Sequence, residues 1–497
     1  MPYADFHVHG NFKTYFTGYD VQAKESPWKK INFTVDNFLF RKSNRIFSSQ
    51  SSFSQLHKGQ LGLGVMPLYS TERGFPDSFL LKALDFFSKK IDHRLFKAIR
   101  ENKVTYYQQL DDCFKHLERA VTDNVPGSQS INFTRTFADI DPAKMNIVFS
   151  LEGAHAFLNS FDEVNTPQGL QDIEDRIKAY KKKNPAPGNT HPRIFILNVT
   201  HLTMAPFTNH SFGIKIISHE DFIPQGQGIT QAGLRIIHTA LSQDAEHHPM
   251  IIDIKHMSLE SRKSYYQIRR QSYPDIPIVA SHAGVTGISY EHVNDYIEHI
   301  YAAKVNKRNC NLVCHVKPSG LLPFTEFNPW SINLYDEDIA EILLSGGIIG
   351  LSLDQRILGT GKVAREKMSK SETFPGITLD HPVVAKDPDE EAAIEDAELH
   401  FRHFCNNLFH ILKVGSRTFG PGVDVWKQIV IASDFDGLID AVDFCVNGEA
   451  YSNIGSYMMD KMPQLALEAG ITLPYPLQPL IDGILYTNGY DFLKKYY

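Results

Sequence analysis

Six short apolar runs in this chain each lead to side chains that bind divalent metals. A run of this length, bounded by turn residues, is typical of a strand buried on both faces of a parallel sheet. When such strands lie side by side, the groups at their carboxyl ends meet on one rim, where barrel enzymes carry their chemistry. The side chains that the six runs deliver are His7, His9, Glu152, His201, His256, His282 and Asp434.

Two further apolar runs bring the number of predicted strands to eight. We place the strands at about residues 4–9, 61–69, 146–152, 193–200, 249–256, 276–282, 346–353 and 428–434. Helical patterns fall between several of them, as at residues 231–241, 334–344 and 389–412. Alternation of strand and helix over 497 residues predicts an α/β fold, a (β/α)8 TIM barrel in which residues 1–497 form one domain.

The uneven spacing of the strands predicts long insertions, at about residues 10–60, 71–145, 285–330 and 358–388. Loops that follow strands would lie on the active-site rim, where they either line a substrate pocket or cover the barrel. The second insertion is expected to contain helices near residues 79–96 and 105–121. The tail, about residues 451–497, is expected to form helices that pack on the barrel.

Composition limits the partners and the compartment of the chain. With 50 Lys+Arg against 57 Asp+Glu and a formal net charge of -7, it lacks the basic character of a nucleic-acid-binding protein. Since no apolar stretch approaches about 18 residues, and the N-terminus has no leader pattern, we expect no membrane partner. Five cysteines do not suggest a disulfide framework. A cytoplasmic protein is therefore predicted.

The first predicted metal site combines the first and last strands. Strand period is two, so His7 and His9 would present two imidazoles on one face. Closure of the barrel brings the last strand beside the first, and so Asp434 could complete the site. Asp436 is a weaker candidate because it lies past the strand.

A second predicted site lies beside the first. His256 and His282 end adjacent predicted strands, and the two oxygens of Glu152 could bridge both sites. The sequence therefore predicts two divalent metal ions, with zinc favoured by mixed imidazole and carboxylate ligands and manganese, iron or cobalt as alternatives. Such a pair activates water and polarises a carbonyl, which suits hydrolysis of an amide or ester.

At these residues the chain resembles the membrane (renal) dipeptidase family, peptidase M19 of the metal-dependent amidohydrolase superfamily. The resemblance rests on residues 150–155 (SLEGAH), 199–201 (VTH), 253–258 (DIKHMS), 281–282 (SH) and, most specifically, 432–437 (ASDFDG). It implies a metallopeptidase with a binuclear zinc site that hydrolyses a dipeptide or related small substrate through metal-activated water.

The resemblance also implies a role for each site residue. His7, His9, Glu152 and Asp434 would hold one metal, and Glu152, His256 and His282 would hold the other. Asp434 would act as general acid and base. His201 would contact the substrate carbonyl and stabilise the oxyanion, and Asn333 would be a further substrate contact.

Two departures from the family pattern stand out. The family has His-x-Asp where this chain has His7-x-His9, and it has a substrate-binding arginine where this chain has Ile332. An isoleucine cannot replace the bidentate clamp of an arginine on a carboxylate. Either another cation serves, or the substrate is not an ordinary dipeptide. The cations nearby in sequence are Lys304, Lys307, Arg308, Lys317 and Arg356.

Two other functions stay open at this point. One is a barrel phosphoesterase of the histidinol-phosphatase type, which also opens with Asp-x-His-x-His but needs further metal ligands. The other is a catalytically silent metal-binding homologue with a binding role. Dimerisation is common among such barrels, so by analogy a homodimer is an option for this chain.

Overall fold

The fold is described from a computed structural model. It covers residues 2–33, 44–77, 90–185, 191–213, 220–224, 228–305, 308–360, 365–369, 383–384, 396–420, 422–474 and 476–497.

Eight parallel strands surround a central axis in chain order, and the predicted (β/α)8 TIM barrel is confirmed. Val8 pairs with Phe435, and Phe6 N donates to Ile431 O at 2.8 Å, which joins the last strand to the first. A ninth strand, β3, pairs with β4 outside the ring. The strands of this sheet are β1 (Tyr3–Asp5), β2 (Leu61–Tyr69), β3 (Ile131–Phe133), β4 (Met145–Glu152), β5 (Ile194–Asn198), β6 (Ile251–Asp253), β7 (Val279–Ala283), β10 (Ile348–Leu351) and β13 (Ile429–Ile431).

Several barrel strands are shorter than predicted, and this moves some of the metal-binding side chains off the strands. Strand β1 ends at Asp5, so His7 and His9 lie just beyond it rather than on it. The buried Asp5 carboxylate accepts hydrogen bonds from His7 N at 3.1 Å and Ser433 N at 2.9 Å, and these bonds join the ends of β1 and β13. Glu152 does lie on its predicted strand.

Helices surround the barrel. The helices predicted at 231–241, 334–344 and 105–121 are present with close to the expected bounds, whereas 79–96 lies largely outside the described residues. The helices are Phe12–Tyr15, Asn44–Phe47, Phe53–Lys58, Gly74–Asp77, His93–Arg100, Tyr106–Thr122, Pro167–Ala179, Gln231–Leu241, Leu259–Ser272, Asp336–Leu344, Gln355–Leu358, Ala397–Phe419, Tyr451–Glu468, Gln478–Asp482 and Asn488–Tyr496, with a π-helical turn at Gly483–Thr487.

Two of the predicted insertions share a second sheet. Strands β8 (Ile297–Val305) and β9 (Arg308–Val316) are antiparallel, and β11 (Arg365–Ser369) and β12 (Val383–Val384) flank them in the order β11-β9-β8-β12. The spacing of the strands predicted the insertions, but this sheet was not predicted.

The barrel has one closed end and one polar end. Its interior is filled by apolar side chains, and the last helix, Asn488–Tyr496, covers the end at which the strands begin. Phe492 packs against Phe6 and Phe195, with ring centroids 6.1 and 6.2 Å apart. The opposite end, where the strands finish, carries the polar side chains described next. Among the described residues, no helix combines the length and apolar character needed to cross a bilayer.

Candidate metal centre

Glu152 is at the centre of the polar rim. It ends β4 and is 3% exposed, and the strand period of two turns its carboxylate toward the barrel axis together with Val148 and Ser150. Its Oε1 lies 3.5 Å from His7 Nε2 and 3.2 Å from His256 Nε2. The imidazoles around it hold the pKa of Glu152 well below its ordinary value despite burial, so the carboxylate is ionised.

The first predicted group of ligands is assembled. His9 Nε2 lies 3.6 Å from Glu152 Oε2 and 3.3 Å from Asp434 Oδ1. His7 Nε2 lies 3.7 Å from the same Asp434 oxygen. Burial raises the pKa of Asp434, so this carboxyl takes up a proton more readily than an exposed one.

The second predicted group is assembled on the other side of Glu152. His256 Nε2 and His282 Nε2 are 3.1 Å apart, and His282 Nε2 is 3.8 Å from Glu152 Oε1. Burial lowers the pKa of His256 to about 3 and holds that of His282 well below its ordinary value. Both imidazoles are therefore neutral at neutral pH and offer lone pairs.

The backbone at three of these candidate ligands has positive φ. The φ angles are 70° at His256, 32° at His282 and 63° at Asp434. Such conformations cost about 1–3 kcal/mol each in a residue other than glycine, and they concentrate at functional sites. At Gly437, a Cβ would lie 2.0 Å from Asp434 Oδ1, so glycine is needed to leave room for that carboxylate. The chain accepts local strain to direct these side chains inward.

A shell of buried polar groups fixes the orientation of the imidazoles. Ser281 Oγ donates to Asp253 Oδ2 at 2.5 Å and lies 2.8 Å from His282 Nδ1. With that hydroxyl proton committed to Asp253, Ser281 accepts from His282 Nδ1–H, which leaves His282 Nε2 as the atom with a free lone pair.

The donors present fit divalent metal ions. Three groups have ligand atoms within 4.8 Å of one another, and two of them share Glu152: His7, His9 and Glu152; Glu152, His256 and His282; and His7, His282 and Asp434. His7 Nε2 is buried without a hydrogen-bond partner among the described residues, which is costly unless another species binds it. Neutral imidazoles and ionised carboxylates are a suitable set for zinc and similar ions.

His201 is brought to the same centre by a residue that the sequence analysis did not identify. His201 Nε2 is 3.5 Å from Glu152 Oε1, and its Nδ1 is 2.6 Å from Glu72 Oε1. Burial alone would lower the pKa of His201, but the charges of Glu72 and Glu152 outweigh it and raise the pKa to about 9. Glu72 lies three residues past the end of β2, and that position was the only sequence signal for it.

A cavity of about 780 Å³, part of it open to solvent, lies over the centre. His9, Glu152, His201, His256, His282 and Asp434 form its floor. Its walls are largely apolar and include Phe12, Tyr69, Phe75, Leu202, Ile332 and Leu438. Lys255, Asp354 and Arg356 also line it. The cavity is therefore suited to a small molecule with an apolar part.

Two predicted residues are placed differently from the rest. Asn333 does not line the cavity: its Nδ2 donates to Asn328 O and Ile357 O, and its Oδ1 accepts from Gly284 N. Its substrate contact stays a prediction. Asp436 faces away from the ligands and pairs with Lys13 at 2.5 Å.

The cations suggested as substitutes for the missing arginine are also separated. Arg356 lines the cavity, whereas Lys317 is turned to Gly359 O and Glu326. Lys307 and the side chains of Lys304 and Arg308 lie outside the described residues.

No protein-family model and no curated protein matches the chain. Among solved structures, it is similar to a metallo peptidase from Rhodobacter sphaeroides liganded with a phosphinate mimic of the dipeptide L-Ala-D-Ala, at 13% identity and a TM-score of 0.50, covering 100% of this chain and 99% of that one. The probable dipeptidase PvdM from Pseudomonas aeruginosa is similar at 12% sequence identity and a TM-score of 0.49, and the match covers 99% of this chain and 94% of that one. An amidohydrolase from the same organism is similar at 10% sequence identity and a TM-score of 0.47, and the match covers 99% of this chain and 95% of that one. At these identities, the first likeness supports the barrel fold alone.

Proposed function

We propose that this chain is a metal-dependent hydrolase of the dipeptidase-like amidohydrolase type. It would use two divalent metal ions, most suitably zinc, to cleave the amide bond of a dipeptide or related small substrate. The observation that carries the proposal is the pair of ligand groups sharing Glu152 on the floor of a cavity. The Rhodobacter protein of similar fold is a metallo peptidase that binds a phosphinate mimic of a dipeptide, the class of substrate that we propose.

The ligands divide between the two ions as the sequence indicates. His7, His9 and Asp434 would hold one ion, His256 and His282 the other, and Glu152 both. When bound, such ions supply Lewis acidity and make water nucleophilic at neutral pH. Ser281 and Asp253 keep His282 in the tautomer that binds metal.

Asp434 would move the proton. It lines the cavity, and burial raises its pKa, so its carboxylate can take a proton from the attacking water and return it to the leaving amine nitrogen. The positive φ at Asp434 fixes the direction of this carboxylate.

His201 would stabilise the oxyanion. Its Nδ1 donates to Glu72, and with a pKa of about 9 the ring is an imidazolium at neutral pH, so Nε2 also carries a proton. A cationic donor in a water-poor cavity favours the negative charge that develops on a carbonyl oxygen. Glu72 would act through His201, as a positioning residue.

The test is an assay of zinc-loaded and manganese-loaded protein against L,L- and L,D-dipeptides, N-acyl amino acids and lactones. Amide hydrolysis that is lost in Asp434→Asn is the expected result. A protein that binds two metals but cleaves none of these compounds, or that cleaves phosphate monoesters instead, would contradict the proposal.

A further inference from the structure

The cavity contains a cation that has no part in the proposed hydrolysis. Lys255 lies between the end of β6 and His256, and its side chain lines the cavity beside Asp354, Arg356 and Asp434. The residue is 2% exposed. Its Nζ is buried and makes no hydrogen bond to any described residue.

Other buried lysines of the described chain are satisfied by the protein itself. Lys13 Nζ pairs with Asp436 and donates to Ser48 O. Lys24 Nζ donates to Gly18 O, and Lys181 Nζ donates to three backbone carbonyls, those of Thr239, Ala240 and Ser242. Since an unpaired buried ammonium is costly, the exception at Lys255 indicates that a partner arrives from outside the chain.

Arg356, which also lines the cavity, is already occupied. The guanidinium of Arg356 donates from Nε and Nη2 to the Asp354 carboxylate, and from Nη2 also to Leu438 O at 2.9 Å. This pair is formally neutral, and a strong bidentate contact would have to break before Arg356 could clamp a ligand. Since the His201 imidazolium is assigned to the carbonyl oxygen, Lys255 is the cation available for a carboxylate elsewhere on the ligand.

The wall at Ile332 cannot bind an anion. Ile332 is 4% exposed and packs with Trp330 and Ile357 in a small apolar cluster. A carboxylate placed against these side chains would lose its hydration without gaining a hydrogen bond. An anionic group in the cavity is therefore expected at Lys255, and an apolar portion of the ligand against apolar lining residues such as Ile332, Phe12 and Phe75.

We propose that Lys255 binds a free carboxylate of the substrate, so that the substrates are amides of amino acids, either dipeptides or N-acyl amino acids with an apolar acyl side. This inference rests on the proposed hydrolysis, and it narrows the substrates to amides that carry a free carboxylate. One ammonium balances the single charge of a carboxylate, whereas a phosphate dianion beside it would keep one charge without a counter-charge. Lys255 is a specificity-determining residue and takes no part in bond cleavage.

Binding is tested first, on metal-free protein, because a bound metal would itself attract an acid. The probes are 4-phenylbutyrate and its uncharged amide, titrated calorimetrically into wild type, Lys255→Met and Lys427→Met. Lys427 is a matched control, since it is an exposed lysine just before β13, at the closed end of the barrel. We expect wild type and Lys427→Met to prefer the acid by about 10- to 100-fold, the usual strength of a charge-assisted hydrogen bond, and Lys255→Met to lose the preference. Lys255→Gln, which keeps a donor without the charge, is the second variant if Lys255→Met does not fold.

Turnover is tested next, on zinc-loaded protein, with dipeptides and N-acyl amino acids as free acids and as carboxamides. Lys255→Met should raise KM for the free acids by about 10- to 100-fold relative to KM for the matching carboxamides. Equal use of acids and carboxamides by wild type, or a preference that survives in the variant, would overturn the role of Lys255 while leaving amide hydrolysis intact. Acid binding that depends on Lys255, with no amide cleaved, would support Lys255 and contradict the proposed function. Tighter binding of a phosphate monoester than of the acid would overturn the carboxylate assignment.

Discussion

Asp434 and Asp436 are two residues apart, and both have left-handed backbones, with φ of 63° and 67°, yet their surroundings are opposite. Asp436 Oδ1 accepts from Lys13 Nζ and Gln50 N, and its Oδ2 accepts from Ser51 N. Asp434 instead faces the imidazoles of His9 and His7 at 3.3 and 3.7 Å, on the floor of a cavity.

The contrast separates a structural anchor from a binding site. Around Asp436 the protein supplies the partners itself, and the hydrogen bonds of Lys13 and Asp436 hold residues 48–51 against the rim. Around Asp434 the contacts between polar groups are long, and His7 Nε2, 3.5 Å from Glu152 Oε1 and 3.7 Å from Asp434 Oδ1, is buried without a hydrogen bond to any described residue. A site built for an outside ligand keeps polar atoms unpaired, and it maintains them through strain and rigid supports.

Asp434→Asn should have the largest effect on turnover. Loss of a general acid and base lowers amide hydrolysis by about 10²- to 10⁴-fold. Asparagine tolerates the left-handed backbone, so the variant should fold. Steady-state kinetics together with circular dichroism melting check both halves. A variant that does not fold would mean that Asp434, like Asp436, is needed for stability.

Asp436→Asn should have the largest effect on stability. It leaves Lys13 buried without its counter-charge, which lowers the free energy of unfolding by about 3–5 kcal/mol. Denaturant titration measures this loss, and a double variant with Lys13→Met should lose less than the two single variants combined. Where Asp436→Asn is folded, it should still hydrolyse amides. A loss of turnover in a folded Asp436→Asn variant would contradict a purely structural role for Asp436.

Zinc should stabilise the folded protein by binding at Asp434, and this stabilisation should not depend on Asp436. At a free concentration about 100 times Kd, a ligand that binds only the folded state adds about 2.7 kcal/mol per site. Thermal melts with zinc and with a chelator should show this gain in wild type and in Asp436→Asn, and a smaller one in Asp434→Asn. An equal gain in both aspartate variants would mean that Asp434 is not a ligand.

Glu72→Gln should have the smallest of these effects, because Glu72 acts through His201. Loss of an orienting carboxylate lowers activity by about 10- to 100-fold without removing metals. Since the charge of Glu72 raises the pKa of His201, its removal lowers that pKa, and the alkaline decline in activity moves to lower pH. Glu174→Gln, at a carboxylate that pairs with Arg235, is the control. An unshifted pH profile would remove Glu72 from the site.

The sequence was informative where a short local pattern determines position. Leu61–Tyr69 was predicted to the residue, because an apolar run bounded by polar residues has few alternatives in a parallel barrel. The same logic placed Glu152, His256, His282 and Asp434 on one rim, where the structure has them. His7 and His9 were expected on a strand, and they reach the site from just beyond it.

What the sequence could not give depends on contacts between distant residues. Glu72 acquires its role only through His201, which is 129 positions away, and Lys255 is informative only because nothing described pairs with it. Asn333 matched a family position, yet its amide hydrogen bonds to backbone groups around Ile357 and Gly284. The sheet of β8, β9, β11 and β12 pairs strands from two insertions, with more than 40 residues between β9 and β11, and no local pattern predicts such pairing.

We propose that the rim holds two divalent ions that share Glu152, and a measurement of metal content decides whether it does. Protein stripped with a chelator and titrated with zinc, followed by calorimetry and elemental analysis, should bind two equivalents per chain. Glu152→Gln should bind fewer, whereas Glu174→Gln should bind two. Wild type that binds no zinc, or a Glu152→Gln variant that binds both ions as tightly as wild type, would contradict the account.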